Sequence, residues 1–281
     1  MILGVSSFAY GWSVGDEIHK PIHPMNELSL IEIATKFKLS CLQIGDNLPV
    51  HVLTEEQLIA LKVASEKNSI RLELGAKELT ADNLARYIKL CSKLNAPLLR
   101  FIIDGAQYAP TSSTVISLVK DALPLLIDAK ITLGIENHDR FKAKELASIM
   151  DAIGSDHVGI CLDCVNSMGA GEGLEYVVDI LAPYTVNLHI KDFTVQRLPH
   201  KMGFTVTGIH VGKGMTNIPL LMEKLINYKR CQSAVLEQWV PWQENLATTI
   251  NTEREWAAEG INYLKSLPYF VKRNNKFNTI L

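Results

Sequence analysis

Residues 132–141, TLGIENHDRF, carry an apolar run straight into Glu136, Asn137, His138 and Asp139. Successive side chains of a β-strand point to opposite faces, so Thr132, Gly134 and Glu136 share one face of this run. A strand that stops abruptly in clustered ligand-type side chains reads as the edge of a site. Seven further runs have the same β-rich character: ILGVSS (2–7), SCLQIGD (40–46), IRLELGA (70–76), PLLRFII (97–103), HVGICLD (157–163), TVNLHIK (185–191) and SAVLEQW (233–239).

Helical periodicity fills the spaces between them. Leu84, Tyr87, Ile88, Cys91 and Leu94 form one apolar stripe at three-and-four spacing. Thr54 followed by Gln57 is a capping-box pattern that opens another helix. The pattern predicts further helices over 27–38, 113–129, 142–153, 173–181, 218–228 and 249–267. Several strands read as continuous apolar runs, which suits parallel strands covered by helices on the outside. Eight strand–helix units close a (β/α)₈ TIM barrel, an α/β fold in which catalytic side chains gather at the C-terminal ends of the strands. The 281 residues fit one such domain, 1–281. From Phe193 to Thr216 about two dozen residues separate the seventh strand from its helix, where two to six is usual. Within this 193–216 loop, MGFTVTGIHVGKG alternates β-branched residues and predicts a hairpin lid over the mouth.

With 47% hydrophobic and 21% charged residues the chain can bury a large core. A formal net charge of -2 gives no basic excess for a phosphate backbone, so nucleic acid is excluded as the main partner. No run of about eighteen apolar residues exists to span a membrane. Five scattered cysteines and a start without a secretion signal point to a cytoplasmic protein with free thiols. Cys161 and Cys164 form a C-x-x-C, read as incidental because Asp163 lies inside it. The basic tail FVKRNNKFNTIL reads as a solvated end.

The polar side chains that end the last four strands are Glu136, Asp163, His189 and Glu237. Each of them alone is ordinarily a turn or helix-capping residue, but the ordered set is not. Lone charges pointing into a barrel are costly unless paired or bound to a metal. Carboxylates with one imidazole and no thiolate suit Mn²⁺ or Mg²⁺, with Co²⁺, Fe²⁺ or Zn²⁺ as alternatives.

This series, with GVSSFAYGW at the start and HIKD after the seventh strand, resembles the xylose isomerase-like TIM barrels, the sugar phosphate isomerase/epimerase superfamily. The resemblance implies one divalent metal on Glu136, Asp163, His189 and Glu237. In the family's ketose 3-epimerases the two matching glutamates also exchange the substrate proton. One position departs from that pattern: Asn166 stands where epimerase members usually carry a histidine.

Metal chelation by a sugar carbonyl and its neighbouring hydroxyl acidifies the adjacent C–H and stabilises an enediolate. The leading expectation is therefore a metal-dependent sugar isomerase or epimerase, with Glu136 and Glu237 as base and acid. The alternatives are a lyase using the same site, either a decarboxylase of an oxo-sugar acid or a dehydratase, and a non-catalytic sugar-binding barrel. The partner is a small carbohydrate, and barrels of this type pair readily, so a homo-oligomer is expected.

Several other residues have two readings each. Lys191, on the His189 side by parity, either contacts substrate or is a solvated loop lysine. His210, Lys213 and the glycines of HVGKG either cradle an anion on backbone N–H groups or form a plain turn. Trp12 and Trp239 either stack on a sugar ring or pack at the rim. Arg100 and Asp104 either shape the floor or pair with each other. His138 and Asp139 either orient the metal ligands or cap the next helix.

Overall fold

A computed structural model describes residues 1–270; the basic tail from 271 lies outside the described residues. Eight parallel strands close a ring: β1 (Ile2–Ser6), β2 (Cys41–Ile44), β3 (Arg71–Lys77), β4 (Leu98–Ile102), β5 (Thr132–Glu136), β6 (Val158–Asp163), β7 (Thr185–Ile190) and β10 (Ser233–Leu236), which pairs back onto β1. The two extra strands β8 (Phe193–Arg197) and β9 (Phe204–Gly208) form an antiparallel hairpin between β7 and the next helix. The alternating β-branched stretch at 204–208 thus does form a hairpin. Its partner is the segment directly after Asp192.

Helices cover the ring: α1 (Gly11–Val14), α2 (Glu27–Lys36), α3 (Glu55–Lys67), α4 (Ala81–Leu94), α5 (Ser112–Asp128), α6 (Ala143–Ile153), α7 (Leu174–Leu181), α8 (Ile218–Ile226) and α9 (Leu246–Ser266). The predicted capping box is present: Gln57 N–H donates to Thr54 Oγ1 at 3.3 Å and Thr54 N–H to Gln57 Oε1 at 2.8 Å. The last helix begins three residues earlier than its apolar pattern, because Asn245 Oδ1 accepts from Thr248 N–H at 3.0 Å and starts the turn there.

The apolar core lies between strands and helices, where Leu42, Leu74, Leu99, Leu133, Ile160 and Leu188 are fully buried. Alternate residues face the barrel axis, and there the filling is polar. Gln43, Glu73, Asn187 and Ser233 occupy the middle of the axis, below the strand ends, where branched aliphatic residues ordinarily stand.

Candidate active site

Strand register brings the four strand-end residues to one end of the barrel. Asp163 on β6 lies beside His189 on β7, and Val235 on β10 lies on the other side of His189. Glu237, two residues beyond Val235, keeps the same inward parity. Glu136 ends β5. All four are buried. His189 Nδ1 is the centre of the group: it lies 3.3 Å from Glu237 Oε1, 3.7 Å from Asp163 Oδ2 and 3.8 Å from Glu136 Oε1.

The other ring nitrogen is committed. His189 Nε2 lies 2.6 Å from Gln43 Oε1, an acceptor, so Nε2 carries a ring proton and Nδ1 is the ring nitrogen left facing the carboxylates. That Nδ1 is buried and has no hydrogen-bond partner. A buried ring nitrogen without a hydrogen-bond partner, surrounded by three carboxylates, can serve a cation, and the donor set of oxygens plus one imidazole fits a hard divalent ion. Asp163, His189 and Glu237 have ligand atoms close enough to share one ion, and so do Glu136, Cys161 and His189. The Cys161 thiol is a poor candidate: burial and the nearby Glu136 carboxylate push its pKa well up, and its Sγ–H donates to Asn187 Oδ1 at 3.0 Å.

Every ligand candidate is held from behind. Asp163 Oδ1 accepts from the N–H groups of Val165 and Asn166 at 2.8 and 2.9 Å, which turns Oδ2 inward. Glu237 Oε1 accepts from Ser6 Oγ at 2.8 Å. Glu136 Oε1 accepts from Asn166 Nδ2 at 2.7 Å, while Arg100 Nε donates to Oε2. Lys191 reaches in with Nζ 2.7 Å from Asp163 Oδ2 and 3.0 Å from Glu237 Oε2.

The charges act on one another strongly at this depth. Burial disfavours ionisation of Asp163, but the Lys191 ammonium and His189 outweigh it and hold the carboxyl below its usual range. Glu237 is lowered in the same way, burial being overcome by His189 and Lys191. Burial disfavours charge on His189 and on Lys191, yet the surrounding carboxylates raise both.

Residues 57–267 match the family described as xylose isomerase-like TIM barrel. The chain belongs to that family. It is 29% identical over 275 residues to the 3-oxo-isoapionate decarboxylase of Pectobacterium atrosepticum, covering 98% of this chain and 99% of the relative. Among solved structures it resembles a D-psicose 3-epimerase from Clostridium cellulolyticum H10 determined with D-tagatose (TM-score 0.69, 14% identity, 97% of this chain and 100% of that one). It also resembles a xylose isomerase-like TIM barrel protein from Mycobacterium smegmatis in complex with magnesium (TM-score 0.68, 12% identity, 94% and 97%). At these identities the two structures establish the fold.

Within this xylose isomerase-like barrel several expectations need correction. The N–H groups of HVGKG do form a cradle, but its occupant is the protein's own Asp192, whose carboxylate accepts from Gly212, Gly214 and Thr216 at 2.9, 2.8 and 3.0 Å. His210 Nδ1 lies 3.3 Å from Glu259 and Lys213 is exposed. Asp104 pairs with Arg140, 2.8 Å from its Nε, whereas Arg100 turns to Glu136 and to Asp46, 2.7 Å away. His138 and Asp139 pair with each other at 3.3 Å in solvent. The orienting residue there is Asn137, which is buried: it donates to the Asp163 carbonyl at 2.9 Å and accepts from Asp163 N–H at 2.7 Å. Trp12 packs at the rim against His19 and Trp242, its indole N–H donating to the Val240 carbonyl at 2.8 Å. Trp239, two residues past Glu237, is half-buried.

Sequence reading missed Ser6 and Gln43 and undervalued Arg100. A signal existed: each is a polar residue of inward parity in an otherwise apolar strand. The C-x-x-C cysteines are free thiols in separate surroundings, Cys164 bonding the Lys191 backbone.

Proposed function

We propose that this chain is a divalent-metal-dependent lyase that decarboxylates a 3-oxo sugar acid. The observation that carries the reading is the state of the two glutamates. Glu136 is engaged at both oxygens by Arg100 and Asn166, and Glu237 at both by Lys191 and Ser6. Carboxylate oxygens engaged on both sides by cations and donors have fewer free lone pairs aimed at a substrate C–H, which disfavours its abstraction. Decarboxylation needs no such base. The full-length similarity to a 3-oxo acid decarboxylase supports the same reading.

Glu136, Asp163, His189 and Glu237 are the residues that would hold the ion; Mn²⁺ and Mg²⁺ suit the oxygen-rich set. A divalent ion there supplies Lewis acidity toward the 3-oxo oxygen of the substrate. The substrate carboxylate is recognised by the Lys191 ammonium, with Asn166 offering its amide to a neighbouring hydroxyl. The bond from the carboxyl carbon to C2 breaks, its electron pair moves toward the C3 carbonyl, and CO₂ departs. Lys191 Nζ then delivers a proton to C2. Trp12 and Trp239 close the rim and limit water at the carbanionic carbon.

The isomerase or epimerase reading keeps one support: Glu136 and Glu237 both approach the His189 ring nitrogen, at 3.8 and 3.3 Å. A panel of ketoses and 3-oxo sugar acids, incubated with Mn²⁺-loaded protein in D₂O, separates the two. The expected result is CO₂ release with one deuterium at the carbon that lost it, and a drop of about 10²-fold or more in kcat for Lys191→Met. Deuterium entering a recovered or epimerised ketose without CO₂ release would assign the isomerase instead.

A further inference from the structure

A carboxylate in the middle of a barrel axis is expensive to bury, and Glu73 takes no part in the chemistry above. It lies fully buried on β3, one layer below the ligand candidates. Its oxygens accept from Ser233 Oγ at 2.6 Å, Gln43 Nε2 at 3.2 Å and Asn187 Nδ2 at 3.3 Å, and Arg71 NH2 stands 3.2 Å away. Arg71 is in turn held by Gln232 Oε1 at 2.8 Å. These residues come from β3, β2, β7 and β10, so the network ties opposite sides of the ring together.

Its geometry decides one ambiguity. Gln43 has an amide whose two ends are chemically opposite. The Glu73 oxygens are met by donors from Ser233, Asn187 and Arg71, and the Gln43 NH₂ joins them while also donating to Asn187 Oδ1 at 3.0 Å. With both donors facing downward, Gln43 Oε1 must face up, and it meets His189 Nε2 at 2.6 Å. A ring proton is thereby placed on Nε2, and Nδ1 is the nitrogen turned toward Glu136, Asp163 and Glu237.

We propose that Gln43 and Glu73 are positioning residues: Glu73 fixes the direction of the Gln43 amide, and Gln43 fixes the His189 tautomer that presents Nδ1 to the metal. The polar axis is then a tautomer lock rather than an incidental buried network. Groups that orient a ligating histidine commonly change metal affinity by about 10–100-fold when removed. The lock gives a carboxyl group a role where a branched aliphatic residue would otherwise pack.

The inference stands apart from the reaction catalysed, so absence of CO₂ release leaves it intact. The first test uses the unsubstituted, metal-free protein with ¹⁵N-labelled histidine, the His189 signals being assigned by their loss in His189→Asn. Long-range ¹H–¹⁵N correlation at pH 8 should show a proton on Nε2; a ring whose Nε2 carries no proton overturns the proposal, whatever the variants do. Calorimetric titration with Mn²⁺ then compares variants. Gln43→Leu and Glu73→Gln should each weaken Mn²⁺ binding by about 10–100-fold. The exchanged pair Gln43→Glu with Glu73→Gln keeps an acceptor against Nε2 and should recover most of the affinity, a rescue that a merely space-filling role does not produce. Folded Gln43→Leu with unchanged Mn²⁺ affinity, or an exchanged pair no better than the single variants, would contradict it.

Discussion

At the scale of single residues, Arg100 shows how sequence proximity misleads. Asp104 is four positions away and looks like its partner, but the strand turns Arg100 inward, and its carboxylates are Glu136 and Asp46. The ion pair is almost wholly buried. Removing one member of a buried pair costs about 3–5 kcal/mol. Arg100→Met is therefore expected to lose about that much stability in the metal-free state by urea unfolding, and less once Mn²⁺ is added, because a cation at Glu136 replaces the lost counter-charge. An equal loss with and without Mn²⁺ would separate Glu136 from the metal. The four strand-end candidates were legible because parity alone places them; Ser6 was not, since its bond to Glu237 joins residues 231 positions apart.

At the scale of elements, the connection between β7 and α8 was legible as a hairpin, but the role of its glycines was not. The sequence leaves them either a cradle for an external anion or a plain turn, whereas Asp192 supplies the carboxylate from within. Nothing in HVGKG itself says which carboxylate it receives. Gly214 approaches that carboxylate so closely that a Cβ there would collide with it. Gly214→Ala is expected to destabilise the fold by roughly 1–3 kcal/mol, measured by urea unfolding, while leaving Mn²⁺ affinity near its original value.

The α9 helix carries a second internal carboxyl. Glu253 accepts from the N–H groups of Trp12 and Ser13 at 2.7 and 2.9 Å and so ties the rim turn to the helix. Burial pushes its carboxyl up from 4.5 to about 7, against the pull of these donors. A raised folded-state value means the fold favours the protonated form: the contribution is full below about 4.5 and is lost as pH rises through about 7. The loss amounts to at most about 3.5 kcal/mol at about 1.4 kcal/mol per pH unit. Between pH 5 and 8 the urea midpoint should therefore fall relative to that of Glu253→Gln; parallel pH curves would remove Glu253 as the cause.

At the scale of the whole molecule, the barrel was readable because each strand is a short apolar run followed by an amphipathic helix, a pattern set locally. The polar axis was not, because Gln43, Glu73, Asn187 and Ser233 meet only after the ring closes. Among the described residues no helix is long and apolar enough to cross a membrane. A metal held by four strands should stabilise the entire ring. At a hundredfold excess over its dissociation constant, Mn²⁺ should add about 2.7 kcal/mol and raise Tm by roughly 5–10 °C, an effect lost in Asp163→Asn. The most direct test of metal-dependent decarboxylation uses a 3-oxo sugar acid labelled with ¹³C in its carboxyl group, followed by NMR with metal-stripped and Mn²⁺-reloaded protein. The account predicts ¹³CO₂ from the reloaded protein and none from the stripped one. Label that stays in the acid while the reloaded protein exchanges deuterium into a ketose would contradict it.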